Sequence, residues 1–164
     1  MREVKAMAKN DKTNVMRVLE QHKIPYEGHN YLDSGAISGT EVAEALNENP
    51  EVVFKTLVTI GKTGNHYVFL VPVEQELNLK KAAAAVGEKN IEMIKSKELL
   101  PLTGYIHGGC SPIGMKKQFR TVIHESAASF EKIFFSGGKI GFQVEVRVED
   151  LKKVLKFDFA DIVD

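Results

Sequence analysis

Apolar positions recur along this chain in two rhythms. Between residues 12 and 22 they fall at Val15, Met16, Val18 and Leu19, the spacing that lines one face of a helix. Lys23-Ile24-Pro25 ends that pattern, and residues 26–32 read as a short strand. Ser38-Gly39-Thr40-Glu41 has the capping-box spacing ahead of Val42, Ala43, Ala45 and Leu46; it predicts a second helix that stops near Asn49-Pro50. Residues 55–60 and 67–73 are predicted strands on either side of the turn at 61–65. Residues 78–86 predict a helix with Asn78 at its start and Gly87 just past its end, the residue types that cap helices. Residues 91–94 predict a short strand, and 96–100 one helical turn stopped by Pro101. Residues 121–124, 132–135 and 142–147 are strand-like. The last two are joined as a hairpin through Ser136-Gly137-Gly138-Lys139. Residues 149–155 predict a closing helix.

Helices and strands therefore mix without a βαβ rhythm, and the late chain is mainly β. The expectation is an α+β fold, a mixed and largely antiparallel sheet with helices against it. No repeat, low-complexity stretch or linker divides the chain. One domain over residues 12–164 is expected, after a flexible N-terminal segment at 1–11 that is basic but lacks the apolar core of a signal peptide. The 22 basic and 22 acidic residues cancel, so no global field draws in nucleic acid and any such contact must come from a local patch. A single cysteine excludes a disulfide framework and fits a reducing, cytoplasmic setting. No apolar run approaches membrane length.

The densest chemistry is at residues 103–114, TGYIHGGCSPIG. Four glycines and a proline in twelve residues describe a backbone held in one shape, and a reason to hold it is to aim N–H groups at a ligand. Dinucleotide, P-loop and nucleophile-elbow patterns are absent. The five histidines, 22, 29, 66, 107 and 124, show no zinc spacing, so neither a metal nor a cofactor is expected. Cys110 lies inside the glycine loop, three residues from His107. It is either a nucleophile or, as is commoner, a buried inert thiol. Lys55 follows Phe54 and opens an apolar strand; it either snorkels at a strand end or is held in a pocket as a point charge. Ser136-Gly137-Gly138 reads by default as a hairpin turn.

Taken in order, Phe54-Lys55-Thr56-Leu57, then Thr103-Gly104-Tyr105, Gly108-Gly109, Ser111-Pro112 and Gly114, then Ser136-Gly137-Gly138-Lys139 with Gly141, the chain resembles the YbaK/EbsC family of bacterial proteins that deacylate mischarged tRNA. Asn78-Leu79-Lys80-Lys81-Ala82 and Ala160-Asp161-Ile162-Val163 match as well, so the resemblance runs from about residue 13 to the end. It implies a twisted mixed sheet, partly closed like a barrel and surrounded by helices, as in the editing domain of some prolyl-tRNA synthetases. It implies hydrolysis of Cys-tRNA(Pro), and of other Cys-tRNA species such as Cys-tRNA(Cys), in partnership with prolyl-tRNA synthetase. The essential lysine falls on Lys55, the loop backbone on Gly108 and Gly109, and a pocket tyrosine on Tyr31. Phe54, Thr56, Tyr105, Cys110, Ser111, Pro112, Ser136, Gly137, Gly138 and Gln143 are expected to bind substrate. The family often has arginine at Ile140, aspartate at Gln143 and an aliphatic residue at Cys110. Its proposed route, attack by the substrate's own thiol, agrees with the lack of a Cys–His or Ser–His pair here. A deacylase for another small amino acid such as alanine, and a non-catalytic tRNA- or protein-binding regulator, are the alternatives. Lys116, Lys117 and Arg120, with Lys80, Lys81, Lys89, Lys95 and Lys97, are the basic groups available to tRNA.

Overall fold

The computed structural model describes residues 12–164; the segment 1–11 lies outside the described residues. Thirteen elements follow in order: α1 (Asn14–Gln21), β1 (Tyr26–Asn30), α2 (Gly39–Ala45), β2 (Phe54–Gly61), β3 (His66–Pro72), α3 (Leu79–Val86), β4 (Ile91–Met93), α4 (Ser96–Thr103), β5 (Arg120–His124), β6 (Lys132–Ser136), β7 (Phe142–Arg147), α5 (Val148–Leu151) and β8 (Phe157–Ala160). They build two sheets, one of three strands in the order β1-β7-β6 and one of five in the order β4-β2-β3-β5-β8. The pairs β1–β7, β6–β7, β2–β3 and β2–β4 are antiparallel, whereas β3–β5 and β5–β8 are parallel. The arrangement is α+β, mixed and mainly antiparallel. Among the described residues a single parallel bridge, Val53 to Phe134, joins the sheets beside the start of β2, so they meet at one edge without closing a barrel.

Local signals account for most boundaries. Thr13 accepts the Met16 N–H at 3.2 Å and starts α1, which buries Val15, Met16 and Leu19. An isolated eight-residue helix is not stable in water; burying each of those side chains, worth roughly 1.5–3 kcal/mol, is what fixes this one. Ser38 and Glu41 form the expected capping box. Asn78 accepts the Lys81 N–H, and Gly87, at φ 77°, ends α3.

Four boundaries differ from the sequence reading. β1 ends at Asn30 rather than 32, because Asn30 Oδ1 accepts the Leu32 N–H and turns the chain into a 3₁₀ turn at Leu32–Ser34. α2 ends at Ala45, well before Asn49-Pro50; Asn47 takes φ 55° and a separate 3₁₀ turn covers Pro50–Val52. α4 runs through Pro101 to Thr103. Proline removes one N–H, but Thr103 Oγ1 donates to Leu99 O at 2.7 Å and Gly104 N–H to Leu100 O at 2.8 Å, so the end of the helix stays tied. The closing helix is only the single turn α5, and β8, which pairs with β5, follows it.

The largest core packs β2, β3 and β5 against β6, β7 and α1, with Phe54, Leu70, Phe135, Phe142 and Val144 at its centre. A second core lies between the five-stranded sheet and α3. A third, containing Tyr31, Val42, Val53, Val73 and Phe134, packs α2 over the junction of the sheets. Among the described residues no helix is long and apolar enough to cross a membrane.

Candidate active site

The edge where the two sheets meet carries a cleft of about 170 Å³. That is below the roughly 300–1,000 Å³ of pockets for drug-sized ligands, and suits one small group. The start of β2 supplies Phe54, Lys55 and Thr56; the facing ends of β6 and β7 supply Ser136 and Gln143; Tyr31 comes from the turn after β1; the glycine loop supplies His107, Gly108 and Cys110. The start of α2 closes the cleft with Ile37, Ser38, Gly39 and Val42. Sequence reasoning did not place these four. The capping box located the helix, but nothing local says that a helix start will cover a cleft formed by distant strands.

Lys55 is the only ammonium among the described lining residues, and none of those residues carries a carboxylate. Its Nζ lies 3.6 Å from Glu76 Oε1, with the lysine side chain 25% exposed and that of Glu76 82% exposed. An ion pair with so exposed a partner is weak, so a bound ligand competes for the charge with little opposition. Two other lining residues carry buried side-chain oxygens without a hydrogen-bond partner, Thr56 Oγ1 and Gln143 Oε1. Buried polar atoms are rarely left so, and a cleft that displays two of them is equipped for a donor on its ligand. The Tyr31 hydroxyl is pushed up by burial, which outweighs the opposing influence of the Gly141 amide and the Gln143 side chain. It remains a neutral phenol.

Cys110 is 8% exposed. Burial pushes its thiol up to about 12, against a smaller lowering influence from Thr103. A thiol with that value has almost no thiolate near neutral pH and makes a poor nucleophile.

The glycine loop divides its work. Gly108 lines the cleft at φ 87°, and neither its N–H nor that of Cys110 is hydrogen-bonded to another described residue. Gly109, expected beside it as a backbone donor, is placed otherwise. Its N–H donates to Ile106 O at 3.0 Å, inside its own turn. A Cβ there would stand 3.0 Å from Ile140 N and 3.1 Å from Lys139 C and Cα, so glycine at 109 lets the loop lie directly on the β6–β7 hairpin. Tyr105, Ser111, Pro112, Gly137 and Gly138 likewise do not line the cleft. Tyr105 is buried and donates its hydroxyl to Ile113 O at 2.5 Å, buckling the loop; Ser111 Oγ accepts the Ile113 N–H at 3.4 Å. Gly137 N–H closes the hairpin on Phe142 O at 2.9 Å, and a Cβ on Gly138 would meet Val15 and Tyr105. Tyr105, Ser111, Gly137 and Gly138 hold the walls rather than form them.

Residues 35–154 match the model of the aminoacyl-tRNA editing domain. A protein of Enterococcus faecalis described as a candidate Cys-tRNA(Pro)/Cys-tRNA(Cys) deacylase, EbsC, is 46% identical over 152 residues, covering 92% of this chain and 93% of that one. The chain belongs to the aminoacyl-tRNA editing domain family. A proline–tRNA ligase of Thermosipho africanus is 29% identical over 128 residues, which are 71% of this chain but 22% of the ligase. A crystal structure described as that of a candidate trans-editing enzyme for prolyl-tRNA synthetase superposes with a TM-score of 0.81 over 93% of this chain and 98% of that one. At 22% identity that likeness shows the shared fold.

Of the basic groups available to tRNA, two are already committed. Lys81 Nζ donates to Asp161 Oδ2 and Val163 O, both at 2.8 Å, fastening the chain's end to α3. Arg120 donates to Val86 O and Ala85 O at 3.3 Å, covering the last carbonyls of α3. Lys80, Lys89, Lys95, Lys97, Lys116 and Lys117 are exposed.

Proposed function

We propose that the domain at residues 12–164 is an aminoacyl-tRNA deacylase that removes cysteine from tRNA(Pro), and from tRNA(Cys), by substrate-assisted cleavage. The observation that carries this reading is the composition of the cleft: one ammonium, two unpartnered buried acceptors, and a thiol too inert to attack. An aminoacyl ester is already activated, so a site that orients it and stabilises developing charge needs no nucleophile of its own.

In this reading the α-ammonium of the aminoacyl group donates to Gln143 Oε1 and Thr56 Oγ1. The substrate thiol, as thiolate, attacks its own ester carbonyl. The new S–C bond closes a four-membered cyclic thioester, the C–O bond to the terminal ribose breaks, and the thiol's proton ends on the ribose oxygen. Lys55 places positive charge beside the oxygens that gain negative charge, and the N–H groups of Gly108 and Cys110 are the loop donors for the oxyanion. Cys110 itself serves as a wall, with Tyr31 and Phe54. Water then opens the cyclic thioester to free cysteine.

Zero net charge makes tRNA affinity modest and salt-sensitive. We therefore assign the delivery of tRNA to prolyl-tRNA synthetase, and the location to the cytoplasm. The test is deacylation of Cys-tRNA(Pro) by Lys55→Ala. Loss of one such electrostatic group costs about 10²–10³ in turnover; a folded variant with near wild-type turnover contradicts the assignment.

A further inference from the structure

Outside the cleft, Glu27, His29 and Glu145 bring their side chains together across the edge strand β1 and the central strand β7 of the three-stranded sheet. Glu27 and His29 are two apart on β1 and so share a face. Glu145 stands directly opposite Glu27 on β7. His29 Nε2 lies 3.0 Å from Glu145 Oε1 and 3.9 Å from Glu27 Oε2, and one nitrogen and two oxygens from the three residues all fall within 4.8 Å of one another. We propose that these three side chains form a site for one divalent transition-metal ion, Zn²⁺ in preference to Mg²⁺ or Ca²⁺.

The dimensions fit. Ligands at about 2.0–2.1 Å from a tetrahedral ion lie about 3.3 Å apart, so the observed separations close on a metal with side-chain shifts of an ångström or so. Rigidity fits as well: the three groups sit on two hydrogen-bonded strands, and the imidazole is backed by the Phe134 ring at 5.4 Å. Exposure is graded across the cluster, with the His29 side chain at 1%, Glu145 at 12% and Glu27 at 52%. The nitrogen is enclosed, and the Glu27 carboxylate is the most exposed of the three groups. An imidazole with two carboxylates suits zinc better than the hard cations that select oxygen alone. When the ion binds, Nε2 gives its proton to solvent and its lone pair to the metal.

No sequence spacing could reveal this site, because its third ligand lies 116 residues from His29. The ribbon it would clamp also forms part of the cleft. Gln143 pairs with His29 across the two strands, and Tyr31 follows β1. The proposal is independent of the deacylase reading.

The test is titration of chelator-treated protein with ZnCl₂ near neutral pH, followed by calorimetry and by melting temperature. One ion per chain, a raised melting temperature and affinity that falls with falling pH are expected. Glu27→Gln, at an exposed position, leaves the fold intact and weakens binding about tenfold or more, as do Glu145→Gln and His29→Gln; His22→Gln, at the C-terminal cap of α1 and outside the cluster, leaves it unchanged. Failure to bind Zn²⁺, or binding with unaltered affinity in Glu27→Gln, overturns the proposal, as does loss of binding in His22→Gln.

Discussion

Placing a single methyl group on Gly109 separates two roles for the glycine loop. In Gly109→Ala the new Cβ stands 3.0 Å from Ile140 N and 3.1 Å from the Cα and carbonyl carbon of Lys139, whereas ordinary contact begins at 3.4 Å. All three neighbours are backbone atoms and cannot swing aside as the end of a side chain would. Loop and hairpin must part by a few tenths of an ångström. Overpacking of this kind costs about 1–3 kcal/mol. At about 2–4 °C per kcal/mol for a chain of this size, the melting temperature falls by about 2–12 °C. Alanine keeps the N–H and its bond to Ile106 O, so any loss of deacylation comes from displaced Gly108 and Cys110 and accompanies the loss of stability. The comparison is Gly108→Ala. There the nearest atoms are side-chain carbons at 3.4 Å or more, and the cost is the left-handed backbone, about 1–2 kcal/mol. Calorimetry with steady-state deacylation of Cys-tRNA(Pro) reads both. If Gly109→Ala melts like the wild type yet has lost turnover, Gly109 acts on the substrate itself and the packing argument is wrong.

Two further outcomes follow from the same geometry. Cys110→Ala keeps turnover within about an order of magnitude, because a wall is altered; loss of a true nucleophile costs roughly 10⁴-fold or more, and that result in a folded protein, or an acyl group trapped on Cys110, establishes covalent catalysis instead. Glu88 accepts hydrogen bonds from Thr63 Oγ1 and from the Tyr67 hydroxyl at 2.6 Å, and these hold its carboxyl below the usual range. A carboxyl lowered in the folded state stabilises above its unfolded value and loses that contribution as pH falls through the folded one. The melting-temperature gap between wild type and Glu88→Gln is therefore widest near neutral pH and shrinks in acid; a gap independent of pH contradicts this.

What could be read in the sequence was what local physics encodes. Thr13, the Ser38–Glu41 box, Asn78 and Gly87 mark helix ends through bonds spanning three or four residues, and β2 and β3 announce themselves by apolar runs around one turn. The rest depends on partners far along the chain. α4 passes Pro101 because Thr103 and Gly104 tie its end. β8 is a half-buried strand of four residues, Phe157–Ala160, that exists through its parallel pairing with β5. The site divides in the same way. Lys55, Gly108, Cys110, Tyr31, Phe54, Thr56, Ser136 and Gln143 are brought to one cleft, while Tyr105, Gly109, Ser111, Gly137 and Gly138 support it from behind and Pro112 does not line it. A motif records that glycine or tyrosine is needed, but not whether it faces a ligand or another backbone. Ile37 and Val42 carried no local signal for their place over the cleft.

The central claim is that the substrate's thiol is the attacking group, and initial rates on Cys-, Ser- and Ala-tRNA(Pro) at equal concentration test it most directly. Cysteine and serine differ only in one atom, and serine is the smaller, so exclusion by size cannot separate them. If the thiol attacks, Cys-tRNA(Pro) is cleaved at least about a hundredfold faster than either of the others, since they lack the positioned thiol nucleophile. If Ser-tRNA(Pro) or Ala-tRNA(Pro) is cleaved as fast as Cys-tRNA(Pro), water is the nucleophile and substrate assistance is wrong.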